Sequence, residues 1–174
     1  RPNPINGVDT EGTVLDPEFS SFVGLYPLAM RHGMTVGELA LYFNREFQID
    51  CRLEIVKMQG WTRDMFFSDT RLPWVLPSPN MPTLETALVY PGLCLLEGTN
   101  VSEGRGTTRP FELSGAPWIT PARMVEQLDR SDQPGVVFRP VHFTPTFHKW
   151  AGESIGGVQI HVSDRAAFRP VLTG

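Results

Sequence analysis

Proline constrains the fold of this chain more than any other residue type, because its ring removes a backbone donor and disfavours helix at the preceding residue. The 174 residues include 16 prolines, well above the average share of about 5%. These prolines lie between apolar segments and are not massed in one tract. Since 41% of the residues are apolar and 20% are charged, the chain can build a core. We expect a folded protein of one domain, or one domain plus part of another, with many rigid loops.

The densest group of prolines lies in the segment RLPWVLPSPNMPT. It predicts a long ordered loop, and loops of that length without secondary structure tend to be functional. Trp74 lies in this loop, and its indole offers an apolar face and one donor, which suit stacking on a sugar ring. A tryptophan that anchors the loop or the core fits the same position. Turn signals also flank the other tryptophans, Trp61, Trp118 and Trp150.

Three helices have start signals in the sequence. Thr35 and Glu38 form a capping box ahead of an apolar helical face in GMTVGELALYFNREF. Thr120 as N-cap and Pro121 at the first helical position open a helix in TPARMVEQLDR. A shorter helix is predicted in TLETALVY, which begins at Thr83.

Four segments are predicted to be strands. CRLEIVKM alternates Leu53 and Ile55 with polar neighbours, and LCLL, residues 93–96, reads as a short buried strand. GVVFRPVHF is the third, and in the fourth, GGVQIHV, the apolar residues face one way while Gln159 and His161 face the other. This order of helices and strands predicts the α+β class, with a mixed sheet, a few helices and long Pro/Gly-rich loops.

Charge and hydropathy exclude some functions. The net charge of −4 argues against a nucleic-acid-binding protein, which usually has a basic face. No apolar run approaches the roughly 20 residues that span a bilayer. The chain begins RPNPINGVDTEG, without methionine or a signal peptide, so we expect a mature or recombinant fragment that has lost any targeting segment.

Metal and cofactor sites are not expected. The four histidines, His32, His142, His148 and His161, show no HExxH or comparable spacing. His32 follows Arg31 and precedes a helix, so an anion-binding histidine and a histidine that fixes the loop by hydrogen bonding both fit. Cys51 and Cys94 also lack metal-type spacing. Both are expected to be buried thiols, and the sequence does not decide whether they pair.

The stretch EGTNVSEGRGTTRPFE, residues 97–112, is the strongest candidate for a functional loop, because loops after strands carry sites. Its glycines permit tight turns or close approach of a ligand, and Arg105 and Arg109 can hold a carboxylate in a two-point fork. The spacing and the lysine of a phosphate-binding P-loop are absent. Glu97 and Glu103 are candidates for acid and base, as in glycoside hydrolysis. Alternatively, Glu97 caps backbone amides and Glu103 pairs with an arginine.

Several longer motifs resemble one known family. They are RPNPI, LDPEFSSFVGLYPLAMRHGMTVGELALYFN, MQGWTRDM, LPWVLPSPNMPTLETALVYPG, CLLEGTNVSEGRGTTRPFE, GAPWI and FTPTFHKWAGESIGGVQIHV. In this order they resemble the bacterial exo-β-N-acetylmuramidase (NamZ-type) family over nearly the whole chain. One departure is Ile155, where the family usually has cysteine.

The resemblance implies a fragment of a longer enzyme. Family members have an N-terminal Rossmann-like domain and a smaller C-terminal domain, with the proposed active site in the cleft between them. Residues 1–50 would then be the last segment of the first domain, and residues 51–174 the C-terminal α+β domain. The main catalytic residue is expected in the missing N-terminal part, so the isolated fragment is expected to be inactive.

The family's activity is release of N-acetylmuramic acid from the non-reducing end of peptidoglycan fragments. The resemblance therefore implies a muropeptide or amino-sugar substrate, the missing N-terminal domain as partner, no cofactor, and a periplasmic or secreted location. A non-catalytic module that binds cell-wall sugar is the alternative. The lactyl carboxylate of muramic acid suits an arginine fork. The predicted substrate-binding residues are Arg31, His32, Trp74, Asn80, Tyr90, Thr99, Asn100, Arg105 and Thr107.

Overall fold

A computed structural model describes residues 3–174, and the chain forms two compact units, residues 1–73 and 74–174. The first two residues of the motif RPNPI, which also begin the predicted segment 1–50, lie outside the described residues. The boundary predicted at residue 50 concerns the domains of a longer protein and stays a prediction. No helix in the described part of the chain is long and apolar enough to cross a membrane.

The first unit contains one small antiparallel sheet and one longer helix. The sheet pairs β1 with β2, and the helix α1 follows directly after it. The bounds are β1 Glu11–Val14, β2 Ala29–Arg31 and α1 Val36–Glu46, with short 3-10 helices at Pro17–Phe19 and Phe67–Thr70.

The start of α1 confirms the predicted capping box. The Thr35 hydroxyl accepts a hydrogen bond from the backbone amide of Glu38 at 3.2 Å. The Glu38 carboxylate in turn accepts one from the amide of Thr35 at 2.8 Å. Two amides that the helix itself leaves without partners are thereby satisfied.

Replacing Thr35 with alanine should lower the free energy of unfolding by about 1 kcal/mol, because the amide of Glu38 loses its acceptor. Urea unfolding followed by circular dichroism measures this change. Thr35→Ser is the matched control, since it keeps the hydroxyl and should unfold close to the wild type. Equal stability of the alanine and serine variants would contradict the assigned role of the cap.

The second unit carries most of the regular structure. Its three-stranded antiparallel sheet has the order β3-β5-β4, and four-residue β3 pairs with the start of β5. The bounds are α2 Leu84–Leu93, β3 Leu113–Ala116, α3 Pro121–Asp129, β4 Val136–Phe143, β5 Ile155–Val162 and α4 Pro170–Thr173. The α+β class is confirmed, and among the described residues both sheets are antiparallel where a mixed sheet was expected.

One apolar core holds the second unit together. Apolar side chains of α2, β4 and β5 meet in it, together with two phenylalanines from loops. Its buried members are Val89, Leu93, Phe111, Phe138, Val158, Ile160 and Phe168. The predicted alternation of β5 is confirmed, since Ile160 is buried and His161 is exposed. Phe111 enters this core from the end of the stretch 97–112, so the core fixes one end of the candidate loop.

Most of the other predicted elements are confirmed. The structure has helices at TLETALVY and TPARMVEQLDR and strands at GVVFRPVHF and GGVQIHV, and the proline-rich segment is a long loop. Helix α2 runs beyond the predicted segment, through Pro91, to Leu93. Thr120 is the N-cap of α3, although its side chain makes no capping hydrogen bond.

Two predicted strands are wrong. The segment CRLEIVKM forms no strand and is mostly exposed. Its alternation predicts a strand only where a neighbouring strand pairs with it and a second layer covers one face. The segment LCLL is the end of α2 followed by a 3-10 helix, Cys94–Gly98. A run of four apolar residues is too short for periodicity to separate strand from helix. Cys51 is exposed and Cys94 half-buried, so the expected burial of both thiols is wrong for Cys51, and both are free.

Candidate functional site

The stretch 97–112 is a compact loop that begins in the 3-10 helix Cys94–Gly98 and leads into β3. Ser102 and Gly115 exchange two backbone hydrogen bonds, at 2.8 and 3.0 Å, which close the loop onto β3. Gly106 has a φ of +83°, and a Cβ atom there would lie 2.7 Å from the backbone nitrogen of Phe147. Glycine is required at this position because the loop packs directly on the backbone of residues 146–147.

Lys149 connects the loop to the segment that packs on it. Its ammonium donates to the backbone oxygens of Leu96 at 2.8 Å and Val101 at 3.0 Å. It also donates to Oε2 of Glu103 at 2.9 Å. The backbone oxygen of Glu97 lies at 3.3 Å, so four acceptors share the three protons of the ammonium group. The lysine thereby fixes both ends of the turn that contains Asn100.

Glu103, one of the two candidate acid/base residues, is completely buried. Besides Lys149, its carboxylate has Arg105 Nε at 3.2 Å and His148 Nδ1 at 3.3 Å, both measured to Oε1. Neither N–H makes a hydrogen bond of good geometry with Oε1, which is buried without one among the described residues. This is the arrangement of the alternative interpretation, in which Glu103 pairs with an arginine. A role for Glu103 in proton transfer stays a prediction.

Glu97, the other candidate, is partly exposed and pairs with Arg105 Nη2 at 2.8 Å. The Arg105 guanidinium lies over the ring of Phe111 at 5.1 Å, and the ring of Tyr90 meets Phe111 edge-on at 4.8 Å. Burial raises the pKa of Tyr90 and that of Cys94, and the charge of Glu97 acts in the same direction on both. The structure thus brings Tyr90, Glu97 and Arg105 close together around Phe111, and their contact with substrate stays a prediction.

The predicted threonines of the loop bond to its own backbone. The hydroxyl of Thr99 donates to the oxygen of Leu96 at 2.9 Å, and that of Thr107 donates to the oxygen of Gly104 at 2.6 Å. The backbone oxygen of Asn100 accepts a hydrogen bond from the Trp150 indole at 2.8 Å, and its exposed side chain lies at the loop surface. These contacts hold the loop rigid. Substrate contacts by these side chains stay predictions.

Trp74 and Asn80 lie in the proline-rich loop of the same unit. The indole of Trp74 donates to the backbone oxygen of Met81 at 3.2 Å, so the tryptophan spans the loop and stabilises it. The backbone amide of Asn80 donates to the hydroxyl of Ser78 at 3.3 Å. The loop-anchoring interpretation of Trp74 is therefore observed, and stacking on a sugar stays a prediction.

Arg31 and His32 belong to the first unit. Arg31 is buried, and its Nη2 donates to the oxygen of Ile5 at 2.9 Å and to Asp9 at 3.2 Å, while Nη1 pairs with Glu11. His32 Nδ1 accepts a hydrogen bond from the amide of Met34 at 3.0 Å, which fixes the turn before α1. Burial lowers the pKa of His32, which favours the neutral imidazole.

A cavity of about 190 Å³ lies elsewhere in the second unit, between α2 and the end of β5. Its lining residues are Glu85, Val89, Arg109, Glu112, Gln159, Ile160, His161 and Val162. The Glu112 carboxylate in this wall accepts a hydrogen bond from the hydroxyl of Thr86 at 2.8 Å and pairs with Arg109 at 3.3 Å. None of the predicted substrate-binding residues lines this cavity, whereas Arg109, the second arginine of the predicted carboxylate fork, does.

Sequence reasoning missed the segment that packs on the loop, residues 145–152. It supplies His148, Lys149 and Trp150, each of which contacts the stretch 97–105. The available signal was the close grouping of aromatic and basic residues in TPTFHKWAG, bounded by proline and glycine. Among the described residues, no group of three or more histidine, cysteine or acidic side chains is placed to hold a metal ion.

Comparisons with known proteins agree over the whole chain. The family model for "Exo-beta-N-acetylmuramidase NamZ, N-terminal" matches residues 1–85, and that for the C-terminal part matches residues 88–174. A protein of Bacillus subtilis (strain 168), "Peptidoglycan beta-N-acetylmuramidase NamZ", is 58% identical over all 174 residues. The chain spans only 42% of the length of that relative.

Two crystal structures of DUF1343 family proteins from Bacteroides fragilis NCTC 9343 share the fold. The first superposes with a TM-score of 0.93 at 36% identity, over 99% of this chain and 46% of its own. The second has a TM-score of 0.74 at 34% identity, over 94% of this chain and 42% of its own. In each case the similarity covers nearly all of this chain and less than half of the solved protein.

Proposed function

The chain belongs to the exo-β-N-acetylmuramidase NamZ family, and we propose on this premise that its full-length protein is a glycoside hydrolase of peptidoglycan. It would release N-acetylmuramic acid from the non-reducing end of peptidoglycan fragments. The observation that carries the proposal is the 58% identity to a peptidoglycan β-N-acetylmuramidase, which extends over every residue of the chain. Such a substrate lies in the cell wall, which supports a periplasmic or secreted location.

In this proposal the stretch 97–112 is a rigid wall of the substrate site. Glycosidic hydrolysis requires a carboxyl group that exchanges a proton with the substrate, so that group has to reach it. Glu103 is completely buried and held by Lys149, which suits a structural carboxylate. We infer that Glu103 is not the proton-transfer residue, and that the main catalytic residue comes from the part of the full-length protein that this chain does not include.

Arg105 is the proposed contact for the lactyl carboxylate of muramic acid. Its Nε lies beside Glu103 and its Nη2 pairs with Glu97, so Nη1 is the remaining terminal nitrogen. The two glutamates hold the guanidinium in place, which supports a single charge-assisted hydrogen bond to the substrate where the sequence suggested a two-point fork. Such a bond contributes about 1.5–3 kcal/mol.

Full-length protein should hydrolyse a chromogenic β-glycoside of N-acetylmuramic acid. The matching N-acetylglucosamine glycoside, which lacks the lactyl group, should react about ten- to a hundredfold more slowly, as expected for one lost hydrogen bond to a charged group. Release of the chromophore measures both rates. Arg105→Ala should reduce the ratio of the muramyl rate to the glucosaminyl rate, because only the muramyl substrate loses a contact. A merely structural defect would slow both substrates alike and leave this ratio unchanged. Hydrolysis of neither glycoside, or equal rates on both, would contradict the proposal.

A further inference from the structure

The segment 145–152 presents two different faces. Lys149 points into the protein and bonds to the loop, and its side chain is 17% exposed. Its neighbours lie at the surface: Phe147 is 52% exposed, and the His148 side chain is 48% exposed. Trp150 is half-buried, with its indole nitrogen bonded to the oxygen of Asn100.

Trp118, from the turn after β3, completes the surface. It is 55% exposed, and its ring meets that of Trp150 at 5.5 Å and an interplanar angle of 82°. We call Trp118, Phe147, His148 and Trp150 the aromatic patch. Contiguous apolar patches on a protein surface are typical of binding sites, and Trp118 and Trp150 are in direct contact.

The backbone of the patch adopts an uncommon conformation. His148 and Trp150 have φ values of +69° and +60°, in the left-handed region that bulky residues rarely enter. Hydrogen bonds on both sides maintain it: Thr146 donates to the oxygen of Gly106 at 2.9 Å, and Gly152 donates to that of Pro145 at 2.8 Å. Conformations of this kind persist where the surrounding structure enforces them, and they cluster at ligand sites.

A buried carboxylate lies directly behind the patch. Oε1 of Glu103 is buried, is 3.3 Å from Nδ1 of His148, and has no hydrogen bond of good geometry among the described residues. The carboxylate faces one ring nitrogen of the imidazole, so the other, Nε2, is the nitrogen available to a ligand. The patch thus combines apolar ring faces with one oriented polar group.

We propose that the aromatic patch binds a neutral pyranose ring, namely the sugar that follows N-acetylmuramic acid in the glycan. This inference rests on the proposed function. An indole face packs against the apolar face of a pyranose, and a polar edge beside it bonds to the hydroxyls. The patch contains no carboxylate, lysine or arginine, which fits a neutral sugar, while Arg105 on the adjoining loop fits the acidic one. The bond from Trp150 to Asn100 makes the two surfaces continuous.

The kinetic test uses full-length protein and two substrates without an aryl group. One is the disaccharide N-acetylmuramyl-β-1,4-N-acetylglucosamine, and the other is the methyl β-glycoside of N-acetylmuramic acid, which has no second ring. Trp118→Ala should lower kcat/KM for the disaccharide about tenfold and leave that for the methyl glycoside unchanged. Trp118→Phe keeps a ring and should recover most of the loss. Val137→Ala, at another exposed apolar position of the same unit, is the control.

An equal effect of Trp118→Ala on both substrates, or no effect on either, overturns the assignment. A binding test separates this result from failure of the proposed function, because it needs no hydrolysis. Titration of full-length protein with N,N′-diacetylchitobiose, followed by tryptophan fluorescence, should show binding that Trp118→Ala weakens about tenfold. If neither muramyl substrate is hydrolysed but Trp118→Ala still weakens chitobiose binding, the patch is a sugar-binding site and the proposed enzyme activity is wrong. If Trp118→Ala binds the sugar as the wild type does but sediments as a monomer where the wild type is a dimer, the patch is an interface between two copies of the protein. That outcome would overturn the proposal.

Discussion

Replacing Lys149 with methionine is expected to destabilise the second unit by about 3–5 kcal/mol, the usual loss when one partner of a buried ion pair is removed. The lysine donates to Glu103 and to the oxygens of Leu96 and Val101. Glu103 has no exposure to solvent, so its carboxylate would stay buried without its closest cation. Because the stretch 97–105 is held by the same ammonium, the variant should also lose most of any activity of the full-length protein.

The other lysine of the chain, Lys57, provides the control. It is exposed, and Lys57→Met should change the free energy of unfolding by no more than about 0.5 kcal/mol. Urea unfolding of the full-length variants, followed by tryptophan fluorescence, measures the difference. The double variant Lys149→Met with Glu103→Leu should recover much of the loss, because both charges are then gone. If Lys149→Met and Lys57→Met have the same free energy of unfolding, Lys149 does not hold the loop.

Local signals account for what the sequence predicted correctly. The capping box of Thr35 and Glu38 located α1, and Thr120 with Pro121 located α3. Each signal acts within three residues of the helix that it starts, so no tertiary information is needed. Strand β5 was predicted for a related reason, since its alternation corresponds to one buried and one less buried face.

The part of the candidate site that the sequence did not predict depends on contacts between residues that are distant in sequence. Lys149 and Glu103 are 46 positions apart, and nothing local to either residue indicates the pairing. In the stretch 97–112, Glu97 and Glu103 were candidates for acid and base and Thr99 and Thr107 for substrate binding, with bonding inside the loop as the alternative for the glutamates. Much of that polarity bonds inside the loop, because tight turns leave backbone groups that need partners. Polar residues in a glycine-rich loop therefore do not show by themselves which side chains contact a ligand.

Strand β3 was not predicted at all, since its sequence, LSGA, has little strand propensity. It forms because small residues let it lie close to β5. Gly115 is directly opposite Gly157, and Ala116 is opposite Gly156. A Cβ atom on Gly157 would lie 1.9 Å from the backbone oxygen of Ser114 and 2.7 Å from the Cα of Gly115.

Gly157→Ala is therefore expected to cost about 3 kcal/mol or more, at or above the upper end for overpacking, since the obstructing atoms belong to the backbone. Thermal unfolding of the full-length protein measures the loss. Gly98→Ala is the matched control, because a Cβ atom at Gly98 meets nothing within 4 Å. Equal melting temperatures for the two variants would contradict the close packing of β3 on β5.

The same substitution should reach the candidate site through the strand pairing. Gly157 is opposite Gly115, and Gly115 exchanges two hydrogen bonds with Ser102 inside the loop. Moving β3 away from β5 to admit a methyl group therefore moves Ser102 and, next to it, Glu103. At a temperature where the Gly157→Ala variant is still folded, its kcat/KM on the muramyl glycoside should fall well below that of Gly98→Ala. Full activity in a folded Gly157→Ala variant would show that the loop tolerates displacement of β3. That result would contradict a loop held rigidly by the Ser102–Gly115 and Lys149–Glu103 hydrogen bonds.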